Sequence, residues 1–327
     1  MKKIFNAFLA LAGGTLLWAA WPVSPLTFLI FIGWLPLLWI EDHVQNWKKF
    51  LGLTYVHMLT WNVLTTWWVA NSTIPGALGA FFANSLIMCV PWLLMHYTKK
   101  RLGERIGYLS LVIFWLSFEF IHLNWELSWP WLTLGNAFAT HPEWVQWYEY
   151  LGTTGGSLWI LLSNVLLYTA YKEYKKNGRS VSYFMRLAGW LVLLITPVLI
   201  SRSLLKKSDE QTQASLAEPS RNVVIVQPNI DPWDEKFEAG TQEAQLQKLI
   251  SLSEQKTDSN TALVVWPETA IPFQSDETTL KSNYFLAPLW GFLQRHPSLN
   301  LLSGLEGVRV FHTKHSRYST PIPQEPG

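Results

Sequence analysis

The stretch Ala262–Phe273, ALVVWPETAIPF, decides how the second half of this chain folds. Within it, Leu263–Trp266 is a short apolar run of strand-forming residues, typical of a strand buried in a parallel sheet. Pro267 has no N–H group to donate to a neighbouring strand and therefore ends the run. Glu268 follows directly, at the carboxyl end of the strand, which is where open α/β sheets usually carry their sites.

Glu268 admits two interpretations. Apolar neighbours such as Trp266, Ile271 and Phe273 would remove water from the carboxylate and raise its pKa toward that of a working general base. Alternatively, Glu268 caps a following helix or pairs with a lysine on the surface. The spacing of residues alone does not separate these two roles, but a carboxylate with a perturbed pKa is often functional.

Strand-like and helix-like segments alternate after residue 222. Strands are predicted at Val223–Gln227, Leu263–Trp266, Asn300–Ser303 and Val308–His312, and helices at Gln242–Gln255 and Thr278–Gln294. This alternation indicates a parallel sheet with helical crossovers. Strands joined by one crossover are usually neighbours, so the first two strands should be adjacent, parallel and buried, with Asn229 and Glu268 close together at their carboxyl ends.

The first half of the chain has the composition of a membrane protein. Hydrophobic residues make up 49% of the 327-residue sequence and charged residues only 15%, and there are 20 tryptophans. Seven apolar blocks approach the length needed to cross a bilayer. They are Ile4–Trp21, Pro25–Ile40, Phe50–Ala70, Pro75–His96, Ile106–Ile121, Gly155–Tyr171 and Tyr183–Ser201. We therefore predict about seven transmembrane helices in residues 1–201, a linker at 202–221 and an α/β domain at 222–327.

Positive charges alternate between the connections of these blocks. Lysine and arginine occur before the first block and after the second, fourth and sixth, whereas the connections Trp21–Ser24, Asn71–Ile74 and His122–Thr154 contain neither. Cytoplasmic loops carry an excess of Lys and Arg. The pattern predicts a cytoplasmic N-terminus, and an odd number of spans then places the α/β domain on the opposite, outer side of the membrane.

Several classes of function and site find no support in the sequence. A net charge of +2 without a basic, aromatic-rich stripe argues against nucleic-acid binding. The histidines show no metal-ligand spacing, so neither a metal site nor a cofactor is predicted. Cys89 is the single cysteine and lies in an apolar run, where a thiol is more often a small buried hydrophobe than a nucleophile.

Four segments together resemble one family. The α/β part contributes VVIVQPNIDPWDEKF (Val223–Phe237) and VVWPETAIPF (Val264–Phe273). The membrane part contributes SWPWLTLGNAF (Ser128–Phe138) and EYLGTTGGSLWI (Glu149–Ile160). All four are similar to the apolipoprotein N-acyltransferases, the membrane branch of the nitrilase (carbon–nitrogen hydrolase) superfamily. The resemblance implies a nitrilase-like αββα domain on a polytopic helical domain in a bacterial plasma (inner) membrane.

The resemblance also implies a reaction. In the family, a Glu takes the proton of a Cys thiol, the thiolate attacks a carbonyl, and a Lys stabilises the oxyanion. The acyl donor is a membrane phospholipid, the intermediate is a thioester, and the acceptor is the α-amine of a diacylated lipoprotein cysteine. Glu268 is the one residue that matches this catalytic pattern, as the general base. Candidates for substrate contacts are Trp129 and Trp131, in an aromatic outer loop, and Asn229.

The family's other two catalytic residues are not found in this sequence. No cysteine follows Glu268, and the later lysines, Lys281 and Lys314, lack the flanking residues of the family's Lys motif. We therefore expect the chain to be C-terminally truncated and inactive as it stands. Two alternatives remain open: a catalytically inactive binding or scaffold protein, and a transporter with Glu119 and Asn164 in its pathway. Against the transporter interpretation, the sequence lacks the paired broken helices that are typical of transporters.

Overall fold

The computed structural model describes residues 2–22, 24–215, 220–231, 235–276 and 278–309. The chain divides into two compact units, Met1–Gln213 and Ala214–Gly327. The first is helical and the second combines helices with short parallel strands. The fold is thus mostly helical with a small parallel-sheet region, in the order that the sequence predicts.

Eight α-helices form the described part of the first unit. They are α1 (Lys2–Ala19), α2 (Leu35–His43), α3 (Trp47–Thr66), α4 (Ile74–Ile87), α5 (Cys89–Leu102), α6 (Glu104–Leu123), α7 (Tyr148–Asn177) and α8 (Val181–Ser215). The connections contain 3₁₀ turns at Thr27–Phe31, Trp67–Asn71, Pro130–Leu132, Leu134–Phe138 and Pro142–Trp144. Gly152, with φ 61°, kinks the first turns of α7, a conformation that glycine adopts without steric cost.

Among the described residues, four helices are long and apolar enough to cross a membrane. They are Ile74–Leu102 (α4 and α5 together), Glu104–Leu123, Tyr148–Asn177 and Val181–Ser208, and they coincide with the last four predicted spans. Helix α1 is a shorter apolar helix. The second predicted span, Pro25–Ile40, is not one helix but a 3₁₀ turn and the start of α2. Pro36 favours a new helix start because its missing N–H costs nothing there. The count of seven stays a prediction.

Tryptophans fill the centre of the first unit. Trp34, Trp61, Trp92 and Trp115 are among its largest fully buried side chains. The ring centroid of Trp34 lies 5.8, 5.2 and 4.9 Å from those of Trp61, Trp92 and Trp115, respectively. Aromatic pairs at this separation are stabilising beyond the area that they bury. The high tryptophan content therefore reflects core packing as well as the interface belt that membrane proteins carry.

Asn164, a residue of α7, forms hydrogen bonds with the second predicted span at the break between its 3₁₀ turn and α2. Its Oδ1 accepts a hydrogen bond from the main-chain N–H of Trp34 at 3.0 Å. Its Nδ2 donates to the carbonyl oxygens of Ile30 and Ile160, both at 2.9 Å. The contacts with Trp34 N and Ile30 O satisfy main-chain groups at the break between the 3₁₀ turn and α2, whereas the contact with Ile160 O lies within α7. Asn164 therefore has a structural role, which weakens the transporter interpretation.

We expect Asn164→Leu to destabilise the first unit. The change removes three hydrogen bonds and leaves the Trp34 N–H buried without a partner, at a cost of about 1–3 kcal/mol. Thermal unfolding in detergent should therefore begin at a lower temperature for Asn164→Leu than for the exposed control Asn71→Leu. Equal unfolding temperatures for the two variants would show that Asn164 does not stabilise the break.

The polar segment after Ser201 was predicted as an irregular linker, but helix α8 continues through it to Ser215. Extending an existing helix adds one hydrogen bond per residue and avoids the cost of nucleation. The segment is also rich in Leu, Lys, Glu, Gln and Ala, which are good helix formers. Its polarity marks the end of the apolar span rather than the end of the helix.

In its described residues, the second unit contains two short parallel sheets and two α-helices. The strands are β1 (Asn222–Ile225), β2 (Thr261–Val265), β3 (Ile271–Asp276), β4 (Asn300–Leu302) and β5 (Leu305–Val308). The helices are α9 (Gln242–Glu254) and α10 (Ala287–Arg295). One sheet has the order β1-β2-β4 and the other pairs β3 with β5. Val264, Leu249 and Phe292 are fully buried in the core between strands and helices.

The adjacency of the first two strands is confirmed, but their burial is not equal. β1 and β2 are parallel neighbours, with Val224 opposite Val264. β1 was predicted to be buried, and this is wrong: Val223 is 54% exposed and Ile225 77% exposed. Among the described strands β1 lies at the edge of its sheet, with a neighbour on one side only, and its face that carries Val223 and Ile225 is open. An apolar run indicates a strand but not its place in the sheet.

Two further predictions need correction. The helix predicted at Thr278–Gln294 begins only at Ala287, after two 3₁₀ turns, with Pro288 in its first turn.

Strand β3 was not predicted, because Pro272 counts against a strand. In a two-stranded sheet, however, a proline is tolerated on the side that lacks a partner. β5 ends at Val308, where a fourth strand was predicted to begin, and residues 310–312 of that strand lie outside the described part of the chain.

Candidate functional site

The carboxyl ends of β1 and β2 lead into two polar turns. Trp266 directly follows β2; it is 3% exposed, and its main-chain N–H donates to Leu302 O at 2.8 Å. The indole Nε1 of Trp266 donates to Ser253 Oγ of α9 at 2.9 Å. Trp266 is thus fixed by both the neighbouring strand and the crossover helix. The position of the next residues, Pro267 and Glu268, follows from this anchor.

Both turns contain a residue with an unusual backbone conformation. Asn229 has φ 50° and Thr269 has φ 49°, and they are the non-glycine residues with positive φ in the part of the chain that the structure describes. Asparagine tolerates this left-handed region, but a β-branched threonine there is strained. Such strain persists only where the surroundings enforce it, and it is concentrated at functional sites. Here it marks the strand ends that carry Asn229 and Glu268.

The two turns enclose a small cavity of 150 Å³. One wall is the turn after β1, Gln227–Ile230, and the opposite wall is the turn after β2, Pro267–Ala270. Lys236, Gln245 and Leu249 complete the lining. The structure therefore brings Asn229 and Glu268 to one cavity, as the order of the strands predicts.

Lys236 holds one wall of this cavity, the turn after β2. Its Nζ donates to the main-chain carbonyl of Glu268 and to Thr269 Oγ1, both at 3.2 Å. Gln245, buried in α9, fixes the lysine's own loop by donating from Nε2 to Glu235 O at 2.8 Å and Lys236 O at 3.2 Å. No role was assigned to Lys236 from the sequence. Its place one residue before the end of the segment VVIVQPNIDPWDEKF was the available signal.

Glu268 itself is exposed, which corrects the expectation of a desolvated carboxylate. Its predicted apolar neighbour Trp266 points into the core toward Ser253 rather than toward the carboxylate. The strand ends at Val265 and Pro267 turns the chain, so Glu268 is no longer part of the strand and the buried ring of Trp266 does not cover it. The residue lines the cavity and is open to solvent.

Gly304 allows the Glu268 turn to take this shape. A Cβ atom added at Gly304 would lie 2.6 Å from Thr269 N, 2.9 Å from Glu268 Cα and 3.0 Å from Pro267 O. These contacts are with main-chain atoms and cannot be relieved by a side-chain rotation. Gly304 also accepts a hydrogen bond from Ile271 N at 3.3 Å. The segment between β4 and β5 therefore presses directly on the strained turn.

We expect Gly304→Ala to displace the Glu268–Thr269 turn and to destabilise the second unit by about 1–3 kcal/mol, as overpacking does. The matched control is Gly291→Ala in α10, where the new Cβ would meet only Arg295 Nη1 at 3.7 Å and alanine suits a helix better. Chemical denaturation of the purified chain compares the two. A Gly304→Ala variant as stable as the Gly291→Ala control would show that the close approach is not needed.

The other candidate residues lie in the first unit. Trp129 is partly buried against the helical core, and Trp131 is 48% exposed with its ring 5.1 Å from that of Trp68. Cys89 is 1% exposed and its thiol donates to Ser85 O at 3.2 Å, which is the environment of a packed thiol. Glu119 accepts from Trp115 Nε1 at 2.9 Å and Leu134 N at 2.8 Å, so it ties the aromatic loop to α6.

Comparison with known proteins identifies relatives of both halves. Residues 13–166 match the family described as apolipoprotein N-acyltransferase N-terminal domain. An apolipoprotein N-acyltransferase of Chlorobaculum tepidum is 33% identical over 270 residues, which cover 81% of this chain and 49% of the relative. Apolipoprotein N-acyltransferase 2 of Treponema denticola is 27% identical over 243 residues, covering 69% of this chain and 43% of the relative.

A more distant relative shows the same coverage. An apolipoprotein N-acyltransferase of Borreliella burgdorferi is 21% identical over 281 residues, covering 81% of this chain and 50% of the relative. The chain thus spans about half the length of the curated relatives that it matches. With each of these relatives the match is longer than the first unit, and it therefore includes residues of the second.

Proposed function

Because this chain belongs to the apolipoprotein N-acyltransferase family, we propose that it takes part in lipoprotein maturation. The reaction is the transfer of an acyl chain from a phospholipid to the N-terminal α-amine of a diacylated lipoprotein cysteine. The apolar helices that could cross a membrane support a lipid donor, since that donor resides in the bilayer. The α/β unit at residues 222–327 is proposed to be the N-terminal part of a nitrilase-like domain, after the segment 202–221 into which α8 continues as far as Ser215.

The observation that carries this proposal is the cavity at the ends of β1 and β2. A carboxylate at its edge, a lysine bonded to the turn that carries this carboxylate and two turns with positive φ are the features of a site rather than of a sheet edge. Glu268 is proposed as the general base that takes a proton from the attacking thiol. Lys236 is proposed to hold the Glu268 turn in place, and Asn229 to contact the substrate.

The thiol of this reaction is proposed not to be Cys89. The thiolate is the reactive form of cysteine, and a catalytic cysteine therefore needs a partly exposed, electropositive environment. Cys89 is instead buried among the helices of the first unit, and its thiol donates a hydrogen bond to the carbonyl oxygen of Ser85. Because Cys89 is the single cysteine of the sequence, residues 1–327 supply the base of the proposed reaction but not its nucleophile.

A chimeric protein tests the proposed function. Residues 1–309 of this chain would be continued by the corresponding remainder of the Chlorobaculum tepidum relative, and the chimera expressed in a strain depleted of its own lipoprotein N-acyltransferase. Growth should be rescued, as by the intact relative. Rescue by the relative together with failure of a chimera that is inserted and stable would contradict the proposed function and favour a binding or scaffold role.

The orientation in the membrane is a separate proposal. Lys- and Arg-bearing connections alternate with connections that lack both, which supports a cytoplasmic N-terminus and an α/β unit on the outer side. Alkaline phosphatase fused after Arg221 should accordingly be active, because it folds only outside the cytoplasm, whereas a fusion after Arg179 should be inactive. Activity of the Arg179 fusion alone would contradict the proposal, because either the orientation is reversed or one of the six preceding segments does not cross the membrane.

A further inference from the structure

A second cavity, in the helical unit, is unrelated to the residues of the proposed acyl-transfer site. It is a groove of 510 Å³ between α1, α2, α7 and α8. This volume lies within the usual range of ligand pockets, about 300–1,000 Å³. Its lining is aliphatic and aromatic and includes Leu9, Leu35, Leu167 and Leu187. A groove of this composition suits a hydrocarbon chain.

Aromatic rings shape the walls of the groove. On one side, the ring of Phe5 in α1 meets that of Trp39 in α2 edge-on, with centroids 5.3 Å apart. On the other side, Tyr174 of α7 and Tyr183 of α8 have centroids 5.4 Å apart. Such rings have few rotatable bonds and offer a rigid apolar surface. The groove is therefore built from packed side chains of four helices rather than from a single mobile loop.

The groove opens at one end into a basic mouth. Trp39, Tyr168 and Tyr171 line both the groove and this mouth, so the two are continuous. The mouth is also lined by Asp42, His43 and three lysines of the last turns of α7, Lys172, Lys175 and Lys176. An apolar groove thus ends in a cluster of positive charge.

Asp42, the one carboxylate among the residues that line the mouth, pairs with Lys172 but does not neutralise Lys175 and Lys176. Asp42 already pairs with Lys99 and with Lys172, the latter at 2.8 Å, and accepts from Tyr168 Oη at 2.7 Å. Burial raises the pKa of Asp42, but the hydrogen bonds from Lys172 and Lys99 outweigh it and hold the pKa below its usual value. In the described part of the chain, Lys175 and Lys176 are exposed and form no ion pair.

We propose that this groove and its mouth bind one anionic phospholipid, with an acyl chain between the four helices and the phosphate against Lys175 and Lys176. Basic pockets between membrane helices are recognised sites for anionic lipid headgroups. Positive charge at helix ends alone would need no such site, because the charge rule for topology also produces it. What singles out these two lysines is their place at the mouth of a groove that can hold the rest of the lipid.

Native mass spectrometry of the full 327-residue chain in detergent tests the proposal. The chain would be titrated with phosphatidylglycerol and with phosphatidylcholine that carry the same acyl chains. One phosphatidylglycerol should bind more tightly, by roughly fivefold per lysine and about 25-fold for the two together. The double variant Lys175→Gln/Lys176→Gln should lose this preference. The matched control, Lys48→Gln/Lys49→Gln, changes two exposed lysines at the same end of the bundle and should keep it.

Two further measurements separate the groove from the charge. Leu187→Trp places a bulky indole ring in the groove and should weaken the binding of both lipids. Millimolar glycerol 3-phosphate, which has the charge of the headgroup without the acyl chains, should not displace phosphatidylglycerol. The proposal is overturned if the two lipids bind equally, or if both lysine pairs matter alike and the charge acts diffusely. It is also overturned if glycerol 3-phosphate competes fully, or if a folded Leu187→Trp variant binds as the unchanged protein does.

Discussion

Replacing Glu268 by glutamine in the chimera should lower the rate of acyl transfer by about 10²–10⁴-fold, the usual contribution of a general base. Glutamine keeps the size of the side chain but cannot accept the proton of a thiol. Because Glu268 is exposed, the substitution should leave folding and membrane insertion almost unchanged, within about 0.5 kcal/mol. The measurement is the initial rate of N-acylation of a diacylated lipopeptide in vesicles.

The matched control is Glu243→Gln, which removes an exposed carboxylate from the first turn of α9. It should retain the full rate, because Glu243 is not among the residues that line the cavity. A Glu268→Gln chimera with the rate of this control would remove Glu268 from the mechanism and leave the cavity without its proposed base.

Lys236→Met should lower the same rate by about 10²-fold, since a displacement of about 1 Å in a catalytic group is enough for such a loss. Methionine fills the space of the lysine stem but cannot donate to Glu268 O and Thr269 Oγ1. The strained turn should then relax and carry Glu268 away from its position. Kinetics of the variant chimera would show a fall in kcat with little change in KM.

Lys248→Met on the exposed side of α9 is the control for Lys236→Met. If Lys236→Met behaves like this control, the hydrogen bonds of Lys236 are incidental to the site. Rescue by Lys236→Arg, which restores a donor of similar length, would support the positioning role.

The sheet was predictable from the sequence where hydrophobic runs are bounded by turn residues. The run before Pro267 and the run before Pro228 gave β2 and β1, and their order along the chain gave parallel neighbours. The exposure of Ile225 was not predictable, because an edge strand and a central strand have the same apolar pattern. Likewise, Trp266 suggested a covered Glu268, but the direction of its ring depends on Ser253, a partner in another element.

The candidate site was predictable in its position but not in its contacts. Asn229 and Glu268 meet because both follow strands that pair, which is a property of chain order. Lys236 and Gly304 belong to loops, and their approach to the Glu268 turn depends on tertiary geometry that no local pattern encodes. The positive φ of Thr269 is the least predictable feature, since threonine rarely adopts it.

The central claim, that this chain supplies the base of acyl transfer while Cys89 is only a packed side chain, is tested most directly by trapping the acyl-enzyme. The chimera and its Cys89→Ala variant would be incubated with a phospholipid that carries a radiolabelled acyl chain, and the hydroxylamine-sensitive label on the protein would be measured. We predict equal labelling of the two proteins. Loss of the thioester label in the Cys89→Ala variant, with the protein still folded, would contradict the claim.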